Sequence, residues 1–495
     1  MMSKRCSLQG QRDDVDPRIW RIAGVVLLGP LMTSLDSTVV NVSLATLGHE
    51  LHVPLSTVQW VTTGYLLALA LMLPLSGWLV DRIGAKRVYL CCFTAFTLAS
   101  LICGLATSAG VLIGARVLQG MAGGLLAPMA QMMVARGAGS QVAKVMGIMV
   151  VPVLLGPICG PTLAGTILQH ASWRWIFFIN LPIGILATVL AAWILPRDVA
   201  SLHARSFDLR GFLLLSPALV LLLYSMENLG AGSASSPFCL SEIAVSICLL
   251  AAFVVHVMRC GEASLIDLRL FRKPVFSAAV WTQFFANGIS FGGQMLLPLY
   301  LLSVQKITPE ATGLLLAPAG LGMLCSYPSM GTLTERFGVR CVSASGAFLA
   351  LLGTLPFVLF PYSVMAGWVI CLALFVRGAG MGAIGIPSIA AAYSSIAKET
   401  IPAATTAVNI VQRLGGPVAT TTLATFLHER TAMIPHNSSV VQSVGDTRAF
   451  AATFWVLCAF HAATVVAALR LPMWIHRIEV ADTDKPCRRS MLSLD

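Results

Sequence analysis

GWLVDRIGAKRV, residues Gly77 to Val88, closes one apolar run, turns, and opens the next. Gly77 and Gly84 permit close backbone approach and a tight turn. Asp81 is placed to cap or charge-balance a helix end, while Arg82, Lys86 and Arg87 have the character of anchors at a membrane interface. The pattern returns late in the chain, where Gly331, Leu333, Glu335, Arg336, Gly338 and Arg340 repeat the spacing of Gly77, Leu79, Asp81, Arg82, Gly84 and Lys86. A plain basic loop has no reason to recur at the same spacing, so the chain contains an internal repeat.

Around these two loops the sequence is unusually apolar. Of its 495 residues, 57% are hydrophobic and only 11% are charged, whereas soluble domains carry roughly 25% charged residues. Hydrophobic runs of roughly 17 to 25 residues fill most of the length, which matches the helical span of a ~30 Å hydrocarbon core. About fourteen such runs are expected, from Ile22–Leu44 to Phe450–Leu471. The first follows a charged tail without a small-residue cleavage site after it, so it reads as a retained helix.

With the amino terminus placed in the cytoplasm, that side holds 25 of the 32 Lys and Arg residues. The other side holds Arg174, Lys306, Arg430 and Arg448, and Arg116, Arg377 and Arg413 fall inside runs. The positive-inside rule then puts both termini in the cytoplasm of a cell membrane, inner or plasma. A net charge of +11 is thereby explained by loop anchoring rather than by nucleic acid.

The expected organisation is a tail (1–21), a six-helix half (22–196), a two-helix insert with flanking loops (197–274), a second six-helix half (275–472) and a tail (473–495). Parallel six-helix repeats are one way to build an alternating-access transporter with its site between the halves. No loop is long enough for a folded soluble domain of ~50 residues.

Longer stretches narrow the reading. GWLVDRIGAKRV resembles the loop between the second and third helices of the major facilitator superfamily. LDSTVVNVSLA in the first run, RVLQGMAGG in the fourth, GPICGPTLAG in the fifth, WRWIFFINLPIGI at the sixth and NIVQRLGGP in the thirteenth resemble the fourteen-helix drug:proton antiporters, the group of EmrB and QacA. The resemblance runs from about Leu35 to Leu427. It implies an all-α polytopic membrane protein with the major facilitator fold, and a secondary transporter exporting drugs or xenobiotics in exchange for protons. The cargo would be a small lipophilic or cationic molecule. The resemblance leaves open whether a periplasmic adaptor protein and an outer-membrane channel take part, as they do for EmrB.

Asp36 is the most suggestive single residue. An intramembrane carboxylate is costly unless it faces a cavity or a partner, and such surroundings suit a group that takes up and releases a proton. Arg116 cannot lose its proton, so its role would be electrostatic. The resemblance places Asp36, Asn41, Arg116 and Gln119 on the proton and cargo pathway, and Gly77, Asp81, Arg82, Gly84 and Lys86 in a gating loop. Gly156, Pro157, Gly160 and Pro161 should kink the fifth helix and open a groove for a neighbour.

In the second half Arg377 with its glycines echoes Arg116, and Arg413 precedes Gly415 and Gly416. These two, with Gln294 and Asn409, are further candidates, because polar groups in spans are site candidates by default. Gln283 and Asn287 could bond cargo or a neighbouring helix, and Glu227 is the next acidic candidate after Asp36.

No metal is expected, since His256 and His461 have no partners at metal-ligand spacing. The 13 cysteines form no CxxC pair and read as small packing residues. The Asn437-Ser438-Ser439 triplet carries little weight, because Asn41-Val42-Ser43 matches the same pattern inside a run. No cofactor is expected, the proton gradient being the energy source. Two alternatives keep their place: export of an endogenous metabolite, amino acid, siderophore or lipid, and, remotely, a membrane-embedded transferase. The transferase would need acidic residues clustered with His in a loop, and the sequence has none.

Overall fold

The computed structural model describes residues 16–138, 141–198, 207–230, 237–260, 264–359, 365–433 and 439–474. The Asn437-Ser438 part of the triplet, the Gly/Ser-rich stretch 231–236 and both outer tails lie outside them. Helices dominate, and no strand occurs among the described residues.

Taken as membrane crossings, the helices are α1 (Pro17–Glu50), α2 (Leu55–Met72, continued by Leu75–Ile83), α3 (Ala85–Gly104) and α4 (Ala109–Ala138). Next come α5 (Val142–Val153 and Leu155–His170), α6 (Trp175–Phe178 and Asn180–Ile194), α7 (Leu209–Gly230) and α8 (Pro237–Cys260). The second half comprises α9 (Pro274–Ser303), α10 (Pro309–Ser326, continued by Met330–Phe337), α11 (Val339–Thr354 and Pro356–Leu359), α12 (Gly367–Ser394), α13 (Ile401–Ala432) and α14 (Ser439–Leu469).

Ten of these crossings are long and apolar enough to span a membrane by themselves, and α2 with its 56° bend is an eleventh. The remaining three, α5, α9 and α13, bring the total to the fourteen expected. α5 is divided at Leu154, and α9 and α13 carry the polar residues that lower their hydropathy, among them Gln283, Asn287, Asn409, Gln412 and Arg413. The side chains turned away from the protein are those suited to lipid: Trp193 is 82% exposed and Phe238 77%.

The repeat is visible in the packing. In the first half α4 packs on α2 and α3, α1 packs on α4, α5 and α6, and α3 packs on α6. In the second half α12 packs on α10 and α11, α9 packs on α12, α13 and α14, and α11 packs on α14. Small residues make the tight crossings possible. A Cβ at Gly120 would strike the Tyr65 carbonyl, and one at Gly378 would strike the Ala319 carbonyl.

The two repeat loops share one backbone device. Gly84 (φ 102°) and Gly338 (φ 81°) end one helix and start the next in a conformation that side chains rarely tolerate. Gly84 is also crowded by Asp198, whose carboxylate accepts from the Lys86 and Arg87 amides at 2.9 and 3.1 Å and so caps α3.

α7 and α8 form a hairpin held in part by Ser246 Oγ donating to Ala218 O at 2.8 Å. The hairpin is not peripheral. Ser216 on α7 donates to Leu71 O of α2 at 3.0 Å, and Thr421 of α13 donates to Met226 O of α7 at 2.8 Å. α7 therefore lies along the seam between the halves.

The fifth helix is interrupted beside its Gly-Pro pairs. The interruption of α5 falls at Leu154, just before the Gly-Pro pairs, and Pro161 lies inside a continuous helix. Proline has no N–H to give the carbonyl four residues earlier. For Pro157 that carbonyl is Val153 O, and Ser34 Oγ of α1 donates to it at 3.2 Å.

Candidate functional site

Four helices converge on Asp36. Its carboxylate is 1% exposed and accepts from Arg116 Nη1 at 2.6 Å, Gln119 Nε2 at 2.9 Å and Asn180 Nδ2 at 2.8 Å. Arg116 and Gln119 sit one turn apart on α4, so both reach the same spot. Arg116 Nη1 also meets Gln119 Oε1 at 2.8 Å, and Arg116 Nε donates to Val61 O at 3.1 Å. The guanidinium carbon lies 4.2 Å from the centre of the Tyr65 ring, a favourable cation–π placement. The Asp36–Arg116 pair is fully buried. None of the α1 hydroxyls nearest in sequence takes part.

Three polar atoms around this network are buried without a protein partner: Arg116 Nη2, Asn180 Oδ1 and the Tyr65 hydroxyl. Buried polar atoms are nearly always satisfied, so three around one ion pair call for explanation. Tyr65 stands next in sequence to Leu66 and Leu67, which line the cavity between the halves.

The glycines of α5 lean on α1 beside this network. A Cβ at Gly156 would collide with Ser34 and one at Gly160 with Thr38, and Thr38 Oγ1 donates to Gly156 O at 3.1 Å. The side chain of Pro157 lies outside the described residues. Asn41 stands apart: it is exposed and accepts from Thr62 at 3.1 Å.

The halves meet on the face that bears the repeat loops. Gly77 N donates to Thr406 Oγ1 at 3.1 Å, and Ser76 and Thr406 share a 2.8 Å hydrogen bond. Across the pseudo-symmetric crossing, a Cβ at Gly331 would meet the Lys144 backbone at 2.5 Å. Asp81 faces Arg136 at 3.7 Å, and Lys86 Nζ donates to the Ala192 and Leu195 carbonyls at 2.6 and 2.9 Å. Arg82, at the end of its helix, is exposed.

Farther into the interface, Gln131 of α4 accepts from Asn409 Nδ2 at 2.9 Å and from the Tyr393 hydroxyl at 3.3 Å. Beyond these contacts lies a cavity of about 520 Å³ lined by α2, α4, α7, α9 and α13. Its polar lining includes Gln131, Glu227, Asn287, Asn409 and Arg413, and its apolar lining includes Leu66 and Phe291. A cavity of this size suits a drug-sized organic molecule.

Residues 26–420 match the Major Facilitator Superfamily. The chain belongs to that superfamily. It is 36% identical over 425 residues to the multidrug resistance protein B homolog of Mycobacterium tuberculosis, covering 84% of this chain and 78% of that protein. It is 28% identical over 418 residues to the uncharacterized MFS-type transporter YhcA of Bacillus subtilis, with coverages of 82% and 76%.

Solved structures with the same fold include a bacterial homologue of the iron transporter ferroportin in an outward-facing state, with a TM-score of 0.62 at 14% identity. That match covers 91% of this chain and 98% of the other. The human organic anion transporter MFSD10 aligns with a TM-score of 0.60 at 14% identity, over 90% of this chain and all of that one.

As a member of the superfamily, the chain repeats its arginine in the second half with different surroundings. Arg377 Nη2 donates to Ile289 O at 2.8 Å, and its Nε has no partner. The α9 residue that faces the guanidinium is Gly293, where even a Cβ would collide with it. His461 is buried nearby and bonds Thr354 at 3.0 Å. Gln283 is tied to Gly385 O and Ser388 at 2.6 and 2.7 Å, and Gln294 is exposed beside Ser290. Among the described residues no group of three or more His, Cys, Asp or Glu could hold a metal. His256 instead bonds Asp208 at 2.8 Å, at the end of the α7–α8 hairpin opposite its connecting loop.

Three participants escaped the sequence reading. Asn180 was within a quoted motif, and an amide in an otherwise apolar run was the available signal. Gln131 offered the same signal in α4. Tyr65 offered none, because a tyrosine in an apolar run reads as packing.

Proposed function

We propose that the chain is a proton-driven multidrug exporter of a cell's inner or plasma membrane, with both termini in the cytoplasm. The observation that carries this reading is the fully buried Asp36–Arg116 pair, braced by Gln119 and Asn180 and placed beside the helix α5 that leans on α1. Similarity to a protein named for multidrug resistance supports the choice of cargo class. With the repeat loops facing the cytoplasm, the inter-half contacts at Gly77 and Gly331 hold that side shut.

Protonation of Asp36 at one carboxylate oxygen removes the counter-charge of Arg116. A guanidinium that keeps its proton must then find other partners, and the unpartnered Asn180 Oδ1 and Tyr65 hydroxyl lie close to it. Tyr65 stacks on Arg116 and is followed by Leu66 and Leu67 of the cavity wall, so a shift of Arg116 reaches the cargo site through α2. Each proton moving inward down a 100 mV potential contributes ~2.3 kcal/mol. In this cycle the proton gradient is the energy source and the cargo crosses chemically unchanged.

The test is uptake into everted vesicles under an imposed pH gradient, with ethidium and other lipophilic cations as cargo. Gradient-dependent uptake that is lost in Asp36→Asn is the expected result. Uptake at the wild-type rate and pH dependence in that variant would make Asp36 structural. No uptake of any tested compound by the wild type would overturn the export reading.

A further inference from the structure

The cavity between the halves contains opposite charges that are not spent on each other. Arg413 of α13 lines it, and among the described residues its guanidinium forms no hydrogen bond and no ion pair. A guanidinium stays charged, and an unpaired charge at membrane depth is costly. No carboxylate of the cavity wall forms an ion pair with Arg413.

Glu227 lines the same cavity from α7. No ion pair joins it to Arg413. A carboxylate offers acceptor sites on both oxygens. Leu66, Leu223 and Phe291 lie on the walls with these two charged groups. The cavity thus combines a cation and a carboxylate that are not paired with each other with apolar surface, in about 520 Å³.

We propose that this cavity selects amphoteric organic molecules, with a carboxylate that pairs with Arg413, an ammonium taken by Glu227, and an apolar body between them. Arginine offers a carboxylate two parallel N–H donors, a stronger and more directional contact than a single neutral hydrogen bond. α7 then has a function of its own: it completes the cargo site by bringing a carboxylate to a cavity whose other walls supply none. The proposal rests on the export reading for its biological meaning, but binding can be measured without transport.

The experiment uses the full chain in proteoliposomes and three probes: ciprofloxacin, which is amphoteric; its methyl ester, which keeps the amine and loses the carboxylate; and ethidium, a permanent cation. Equilibrium binding should favour the acid over the ester on the order of tenfold, the scale of one charge-assisted pair. Arg413→Gln should bring that ratio to about one, and Arg413→Lys, which restores the charge without the fork, should recover part of it. Glu227→Gln should weaken all three probes while keeping the preference for acid over ester.

Equal binding of acid and ester by the wild type would overturn the proposal, as would an undiminished ratio in Arg413→Gln. Gradient-driven ethidium uptake in the same proteoliposomes separates the two readings. An acid preference without any uptake would support the site and overturn export. Uptake without an acid preference would leave export intact and overturn the amphoteric site.

Discussion

The two halves bury the same arginine in opposite company. Arg116 meets a carboxylate, the Gln119 amide, a backbone carbonyl and an aromatic ring, whereas Arg377 meets one backbone carbonyl and a glycine. The helix pairings around them are equivalent, so duplication of the scaffold did not duplicate the site. A buried carboxylate stands in the first half. The second half lends its unpaired arginine, Arg413, to the cavity instead. In the proposed cycle one half handles the ion and the shared cavity the cargo, and Tyr65, stacked on Arg116 and next to the cavity residue Leu66, stands between them.

The largest effect should come from the carboxylate. Asp36→Asn keeps the shape but has no titratable proton, and gradient-driven export should fall by at least about a hundredfold, the range expected when a positioned proton carrier is lost. Asp36→Glu restores the carboxyl displaced by one methylene and should be partly active with a shifted pH optimum. Vesicle uptake across a pH series reads both. If Arg377→Met in the second half costs transport as much as Asp36→Asn, the division of labour fails.

Stability should separate the halves next. Arg116→Met leaves Asp36 buried without its counter-charge, a loss of about 3–5 kcal/mol for a buried pair. Arg377→Met strands only a carbonyl and should cost about 1–3 kcal/mol. Thermal unfolding of the two purified variants in one detergent measures the difference. Equal losses would show that the partner of the arginine does not matter.

A smaller effect tests the glycine opposite Arg377. Gly293→Ala pushes the guanidinium off the Ile289 carbonyl, and overpacking of this kind costs about 1–3 kcal/mol. An unchanged unfolding midpoint would mean that Arg377 has a second resting position. The smallest effect on stability belongs to Tyr65→Phe, which removes an unpartnered hydroxyl and keeps the ring under Arg116. Stability should change by less than about 1 kcal/mol, while transport drops severalfold. Unaltered transport would remove Tyr65 from the coupling route.

Much of the architecture was legible because a hydrocarbon solvent constrains sequence so strongly. The runs, the recurring Gly-x-x-x-Asp/Glu-Arg-x-Gly spacing and the basic loops led to fourteen helices, two halves of six and an inserted pair. Asp36, Arg116 and Gln119 stood out because polar residues are rare in such runs. Which of them would touch was not legible. A helix that is apolar all round has little amphipathic signature to fix its rotation, so Asn180 could not be aimed at Asp36, nor Asn41 and Gln294 away from the interior. Likewise, nothing in Leu209–Gly230 announced that an inserted helix would lie on the seam. That became visible only through Ser216 and Thr421.

Those two hydrogen bonds carry a mechanical consequence. α7 is stitched to α2 on one side and to α13 on the other, so it cannot ride with either half as a rigid passenger. Any rocking that parts Gly77 from Thr406 must stretch, swivel or break a stitch, and the stitch must be remade before the next turn. A hairpin fastened in this way behaves as a gasket under load. Loosening Ser216 or Thr421 should alter how fast the machine cycles before it alters what the machine can hold.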